Sequence, residues 1–250
     1  MTIKLKVPSR WSELTQKDLE YFTRLLLKNT PESDLMTLCF LKFAGLKLIK
    51  KTIPDSEGLL FIFKKKGLPR FTMNSDQTSG CVNKLTYLIQ DVTLFPLPGQ
   101  IKQYIPYDYR LFDVNLEQYL LLDSAYQGYL QTNDITALNR MMAVMYHLPE
   151  EQWNVEQLKN REKRFKRIPL FRKYIICLWF SGLKKWIIDK YYYVFNTSES
   201  SMQSHPDEIV MQLLSALNEG NITLNKSILA TGVHEALFEL NRKIEQSRNV

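Results

Sequence analysis

Between positions 159 and 173 the chain carries eight cations, Lys159, Arg161, Lys163, Arg164, Lys166, Arg167, Arg172 and Lys173, against one acid, Glu162. Their net charge of +7 equals that of the whole 250-residue chain, so the remainder is close to neutral and the basicity is local. A run of this kind offers phosphate contacts to nucleic acid, where each Lys or Arg displaces counterions. It equally suits an acidic protein patch, or a membrane surface reached through the aromatic stretch that follows it. A solvated loop and first helical turn would account for it as well. Phe165 and Phe171 are the two aromatics within this stretch, and Phe165 alone sits among its first six charges, too little for a base-stacking platform.

The other chemistry-bearing residues do not converge. Three histidines, His147, His205 and His234, have no Cys, carboxylate or second His at ligand spacing. His234-Glu235 begins as a zinc-protease motif does, but the second histidine is missing. The glycines are scattered, and none precedes a Lys-Ser/Thr pair in a phosphate-loop frame. Cys39, Cys81 and Cys177 are odd in number, widely spaced and set in apolar patterns, which predicts reduced, packed thiols. Asp123 falls in an apolar stripe close to Tyr119 and Tyr126, and a hydrogen bond from a tyrosine hydroxyl is its expected role. No catalytic residue, metal or cofactor is expected, and the chain is read as non-enzymatic.

The elements that must position these residues are mainly helical. Hydrophobic content of 45% and charged content of 24% describe an ordinary folded domain, and nine glycines favour helices over many short strands. The pattern Asn115 to Tyr146 predicts a helical hairpin around which the rest is organised. Leu116, Tyr119, Leu120, Asp123, Tyr126, Gln127 and Leu130 recur at helical spacing, and Leu138, Met141, Met142 and Met145 do so after the Thr132-Asn133-Asp134 break. Before it, Thr15 and Asp18 form a capping box for a helix over about 16–28, with Trp11 or Leu14 stapling onto Leu19 or Tyr21. Thr30-Pro31-Glu32 opens a second helix that stops at Gly45. Residues 58–74 alternate around Gly67 as a β-hairpin, and Asn74 caps a helix to about Gln90. The proline-broken stretch 93–109 is expected to lie extended over the core.

After residue 150 a polar, basic segment anchored by Trp153 leads to Pro169, which opens a long helix, Leu170–Phe195. Its apolar run, Tyr174–Leu183, is half the roughly 20 residues a spanning helix needs, so no integral membrane span is expected. Residues 196–206 read as a linker, which divides the chain into a main domain 1–195 and a C-terminal helical segment 207–250. The opening residues lack the apolar run of a signal peptide, which predicts a cytoplasmic setting.

Three stretches resemble a known group. Pro8-x-x-Trp11-x-x-Leu14-Thr15 is similar to the opening of many small phage-encoded structural and assembly proteins. Glu117-Gln-Tyr through Ala125-Tyr-Gln-Gly-Tyr-Leu-Gln-Thr-Asn-Asp to Met142-Ala-Val-Met-Tyr146 resembles the central hairpin of an uncharacterised phage and prophage family. There the hairpin ends Ala-x-Leu-Tyr-Arg, whereas Met145 and His147 stand here at the Leu and Arg places. The third is Leu178-Trp-Phe-Ser-Gly with Ala236-Leu-Phe-Glu-Leu-Asn. The resemblance implies a virion-associated or tail-assembly protein, in the host cytoplasm or the virion, whose partners are other phage proteins. It brings no catalytic residues. Nucleic acid, held by Lys159–Lys173, is the alternative partner, and the oligomeric state is left open.

Overall fold

A computed structural model describes residues 5–52, 59–90, 99–195 and 214–248, and the chain divides into two compact units, Met1–Pro96 and Leu97–Val250. The architecture is mainly α, with one three-stranded and one two-stranded antiparallel sheet.

In the first unit Thr15 caps α1 (Gln16–Leu26) through the expected box with Asp18. Trp11 packs edge-on against Phe22 and Tyr87 at 5.5 and 5.3 Å. α2 (Glu32–Phe43) starts one residue later than expected, because Pro31 has extended geometry and is itself the cap residue; Gly45, at φ +66°, ends the helix. The predicted hairpin is present as β2 (Leu60–Lys65) and β3 (Phe71–Asn74), turning at Gly67. A further strand, β1 (Leu46–Thr52), adds to β2 with a register shift after Leu48. Lys47, Lys50 and Lys51 on this edge are a usual guard against edge-to-edge pairing. Asn74 and Gln77 box the start of α3 (Ser75–Val82), which tightens into 3-10 turns over Asn83–Leu88 instead of running to Gln90.

In the second unit Asn115 caps α4 (Leu116–Thr132), Asn133 ends it in the left-handed conformation, and Asp134 caps α5 (Ile135–Met145). α4 buries Leu116, Tyr119, Leu122, Ala125 and Tyr126, while Leu130 stays exposed. α5 is the true centre. It buries Leu138, Asn139 and every residue from Met141 to Met145, and packs against α4, α6 (Leu158–Phe165) and α7 (Leu170–Lys190). A helix apolar around most of its circumference belongs inside a bundle. Ahead of the hairpin, β4 (Ile105–Pro106) pairs with β5 (Tyr146–His147), so this piece of the proline-broken stretch lies extended, whereas 101–104 form a tight turn with Lys102 at φ +56°.

The long C-terminal helix breaks at Tyr191, giving α7 and a short α8 (Tyr192–Phe195). The expected linker 196–206 lies outside the described residues. Residues 214–218 are helical, followed by α9 (Asn225–Ala230) and α10 (Val233–Arg248), which pack on α4 and α8 inside the second unit. The C-terminal helices therefore belong with the central hairpin, and the division falls at residue 96. Among the described residues no helix is long and apolar enough to cross a membrane.

Candidate partner-contact surfaces

The eight basic residues separate into two populations once folded. α6 turns Leu158, Arg161 and Phe165 inward, a spacing of three and four residues that defines one buried face. Arg161 is 1% exposed. Its Nη2 donates to the Tyr146 carbonyl at 2.7 Å, and its guanidinium lies 5.2 Å from the centre of the Trp153 ring. Lys173 is also buried, with its ammonium donating to the Lys166 carbonyl at 3.1 Å; burial pushes its pKa down. Arg164 pairs with Glu151 at 2.7 Å. Arg161 and Lys173, offered by the sequence as contact residues, face away from solvent, and Arg172 is half-buried. Lys159, Lys163, Lys166 and Arg167 remain exposed.

Trp153 is less an apolar anchor than a lid over Arg161. Its indole N–H donates to Glu117 at 2.8 Å, and the segment's apolar anchoring comes from Leu158, Phe165 and Ile168. A cleft of about 710 Å³ opens beside Trp153, lined by Glu117, Glu151, Glu156 and Lys226 among others. Glu117 and Glu151 are already committed to Trp153 and Arg164, so structural bonds occupy two of its carboxylates. Asp123, for which a tyrosine partner was expected, pairs instead with Lys184 of α7 at 2.6 Å. Cys39 and Cys177 are buried, and desolvation raises both thiols to about 12, so they are packed rather than reactive.

A second surface had no sequence signal. The 108–113 turn is closed by Asp108, whose Oδ1 accepts from Arg110 N at 2.8 Å, and by Asp113, whose Oδ1 accepts from Asp108 N at 2.7 Å. Trp179 of α7 donates to the Tyr109 carbonyl at 3.1 Å, and His234 of α10 reaches the Arg110 carbonyl at 2.7 Å. Leu111 sits at φ +66° with its side chain fully buried, a backbone cost that the surrounding contacts must hold in place. The result is a pinned loop that presents Phe112 at 61% exposure and Tyr109 at 46%. Phe112 stacks on His234 at 4.6 Å, and Trp186 meets the same imidazole edge-on at 5.8 Å. Lys190 lies 4.9 to 5.5 Å from the ring centres of Trp186, Tyr191 and Phe112, and Arg110 lies between Tyr109 and Trp186. Phe238, one turn along α10 from His234, is 63% exposed.

His234 is the pivot of this face. Its Nε2 donates to the Arg110 carbonyl, so its Nδ1 accepts the Tyr191 hydroxyl at 2.8 Å, an arrangement that suits the neutral ring. Burial, chiefly, holds its pKa below the ordinary histidine value, with Lys190 pushing the same way; the Arg110 carbonyl and Asp108 pull against them. In the unfolded chain the ring takes up a proton near pH 6.5, whereas in the fold it resists doing so. Stability from this site is therefore complete above about pH 6.5 and is lost as pH falls below that value, levelling off beneath the folded pKa. Melting temperatures of wild type and His234→Gln, measured from about pH 7.5 to about pH 5, should show a steeper acid decline in wild type. Equal slopes would refute the assignment.

Compared with protein-family models, with curated proteins and with solved structures, the chain matches none. The fold and its surfaces define a mainly helical protein of two compact units, the second of which carries both a cationic helix and an aromatic–cation face.

Proposed function

We propose that this protein is a non-enzymatic structural or assembly component that works by docking another protein on the face built from Tyr109, Arg110, Phe112, Trp186, Lys190 and Phe238. One observation carries the reading: Phe112 projects into solvent from a loop that hydrogen bonds hold at Asp108, Tyr109, Arg110 and Asp113. An aromatic side chain held ready in this way binds without a large ordering cost. Aromatic residues and Arg are also the types that dominate binding energy at protein interfaces. Lys190 and Arg110 supply positive charge at the same place, which favours a partner with acidic residues around an apolar pocket. The resemblance of the N-terminal motif and the central hairpin to phage-encoded assembly proteins supports a virion or tail component as that partner.

The test is co-sedimentation of the full chain with assembled particles or tail fractions from producing cells. Phe112→Ser combined with Lys190→Glu should weaken association by roughly thirtyfold, the equivalent of losing a hot spot of about 2 kcal/mol. The variant's melting temperature should stay close to wild type, since Phe112 and Lys190 are both exposed. Association that survives both substitutions would overturn the reading.

A further inference from the structure

We infer that the outer face of α6 is a second contact surface, one that binds the phosphate backbone of double-stranded nucleic acid without reading its sequence. The residues are Lys159, Lys163, Lys166 and Arg167. On α6, Lys159 and Lys163 lie on an arc opposite the buried Leu158, Arg161 and Phe165, and Lys166 and Arg167 follow in the turn that ends the helix. All four are exposed, and none has an ion-pair partner among the described residues. Lys163 has only a neutral contact, with the Asn160 carboxamide at 3.1 Å.

The sorting of charges around this helix is what makes the arc a surface rather than a surplus. Arg164, on one flank, is neutralised by Glu151, and Glu162, on the other, by Arg140 at 2.7 Å. Glu156, exposed in the turn before α6, trims the field at that end. Among the described residues the four cations on the crest are left unmatched. Helix stability explains only part of the set: Lys163, in the last turn, and Lys166, at the C-cap, suit the helix dipole, whereas Lys159 lies in the first turn, where the dipole disfavours a cation. The arc is also firmly mounted, since Phe165 packs on Tyr104 and Tyr146 at 5.0 and 6.1 Å. Lys173, bonded to the Lys166 carbonyl, ties down the turn that carries Lys166 and Arg167.

The chemistry separates phosphate from the other polyanions. Within 158–168 the apolar side chains, Leu158, Phe165 and Ile168, are all buried, so the crest lacks the apolar anchor that a protein partner would fill. The absence of an exposed aromatic there removes base stacking, which points to a duplex held by its backbone rather than to a single strand. Lys159 to Lys163 covers roughly 6 Å of helix, at about 1.5 Å per residue, and Lys166 and Arg167 extend the arc into the following turn, enough to face more than one phosphate of a duplex.

The experiment is a titration of the full chain against a fluorescent mixed-sequence DNA duplex of about 20 base pairs. Four phosphate contacts predict a slope of roughly −3.6 in log affinity against log salt, a loss of about a hundredfold between about 50 and about 200 mM. Reversing all four residues (Lys159→Glu, Lys163→Glu, Lys166→Glu, Arg167→Glu) should abolish binding. Reversing Lys47, Lys50 and Lys51 on β1 should leave it within a fewfold, and circular dichroism confirms that each variant is folded. Three results would each overturn the inference: no binding at about 50 mM salt, binding that survives the four reversals, or displacement of the duplex by polyglutamate at equal charge, which would make the partner an acidic protein.

Discussion

Trp179→Ala is expected to destabilise the second unit by about 3–5 kcal/mol, near the upper end for a single side-chain truncation. Trp179 is 1% exposed and packs against Phe180, with ring centres 6.0 Å apart. Its indole N–H also donates to the Tyr109 carbonyl, so the substitution opens a cavity in α7 and releases one of the bonds that close the 108–113 turn. Trp179→Phe separates the two effects. It keeps much of the apolar volume and loses the hydrogen bond, a change of about 1 kcal/mol from the bond itself plus a smaller cavity cost. Denaturant titrations followed by circular dichroism give both values. If the Phe variant is as unstable as the Ala variant, packing is not what Trp179 supplies. On the docking reading, Trp179→Phe should also weaken partner association, because Phe112 rides on the turn that Trp179 holds.

That double role shows which features were legible in the sequence and which were not. Local grammar was readable because its partners lie three or four residues apart: Thr15 with Asp18, Asn74 as a cap, and Gly45 closing α2 at positive φ. The apolar faces of the central hairpin followed from the same periodicity, although Leu122 and Ala125 replaced Leu120 and Leu130 on the buried side of α4. β1 was not foreseen, because three lysines in seven residues hide a strand whose existence depends on pairing with β2.

The contact surfaces depended on long-range partners. Eight cations in a row look alike until the fold decides which of them meet Tyr146, Glu151 or the Lys166 carbonyl. Asp123 seemed suited to a tyrosine because Tyr119 and Tyr126 are near in sequence, yet α7 brings Lys184 across from 61 residues away. The aromatic–cation face is the extreme case. His234 meets the Arg110 carbonyl over a separation of 124 residues, and neither Phe112 nor Lys190 stands in a pattern that would mark it beforehand. Composition could report the presence of charge, but only topology could say which charges stay in water.

The same distinction decides how the methionines of the hairpin should be understood. Met141, Met142 and Met145 are fully buried in α5, the helix that α4, α6 and α7 enclose. Exposed methionine-rich surfaces serve adaptable binding, whereas buried methionines fill irregular gaps in a core. Met142→Ala should therefore cost about 2–5 kcal/mol, while Met142→Leu, nearly equal in volume, should cost less than about 1.5 kcal/mol. Neither substitution should change the salt dependence of duplex binding or the partner association of the molecules that remain folded. The measurement is unfolding free energy alongside both binding assays at a temperature where each variant is native. A Met142→Leu protein that kept its stability and lost a partner would show that the seam itself is recognised. A large loss on truncation, with near-neutral replacement by Leu, would place α5 wholly in the scaffold. Recognition would then rest with the two surfaces mounted on it.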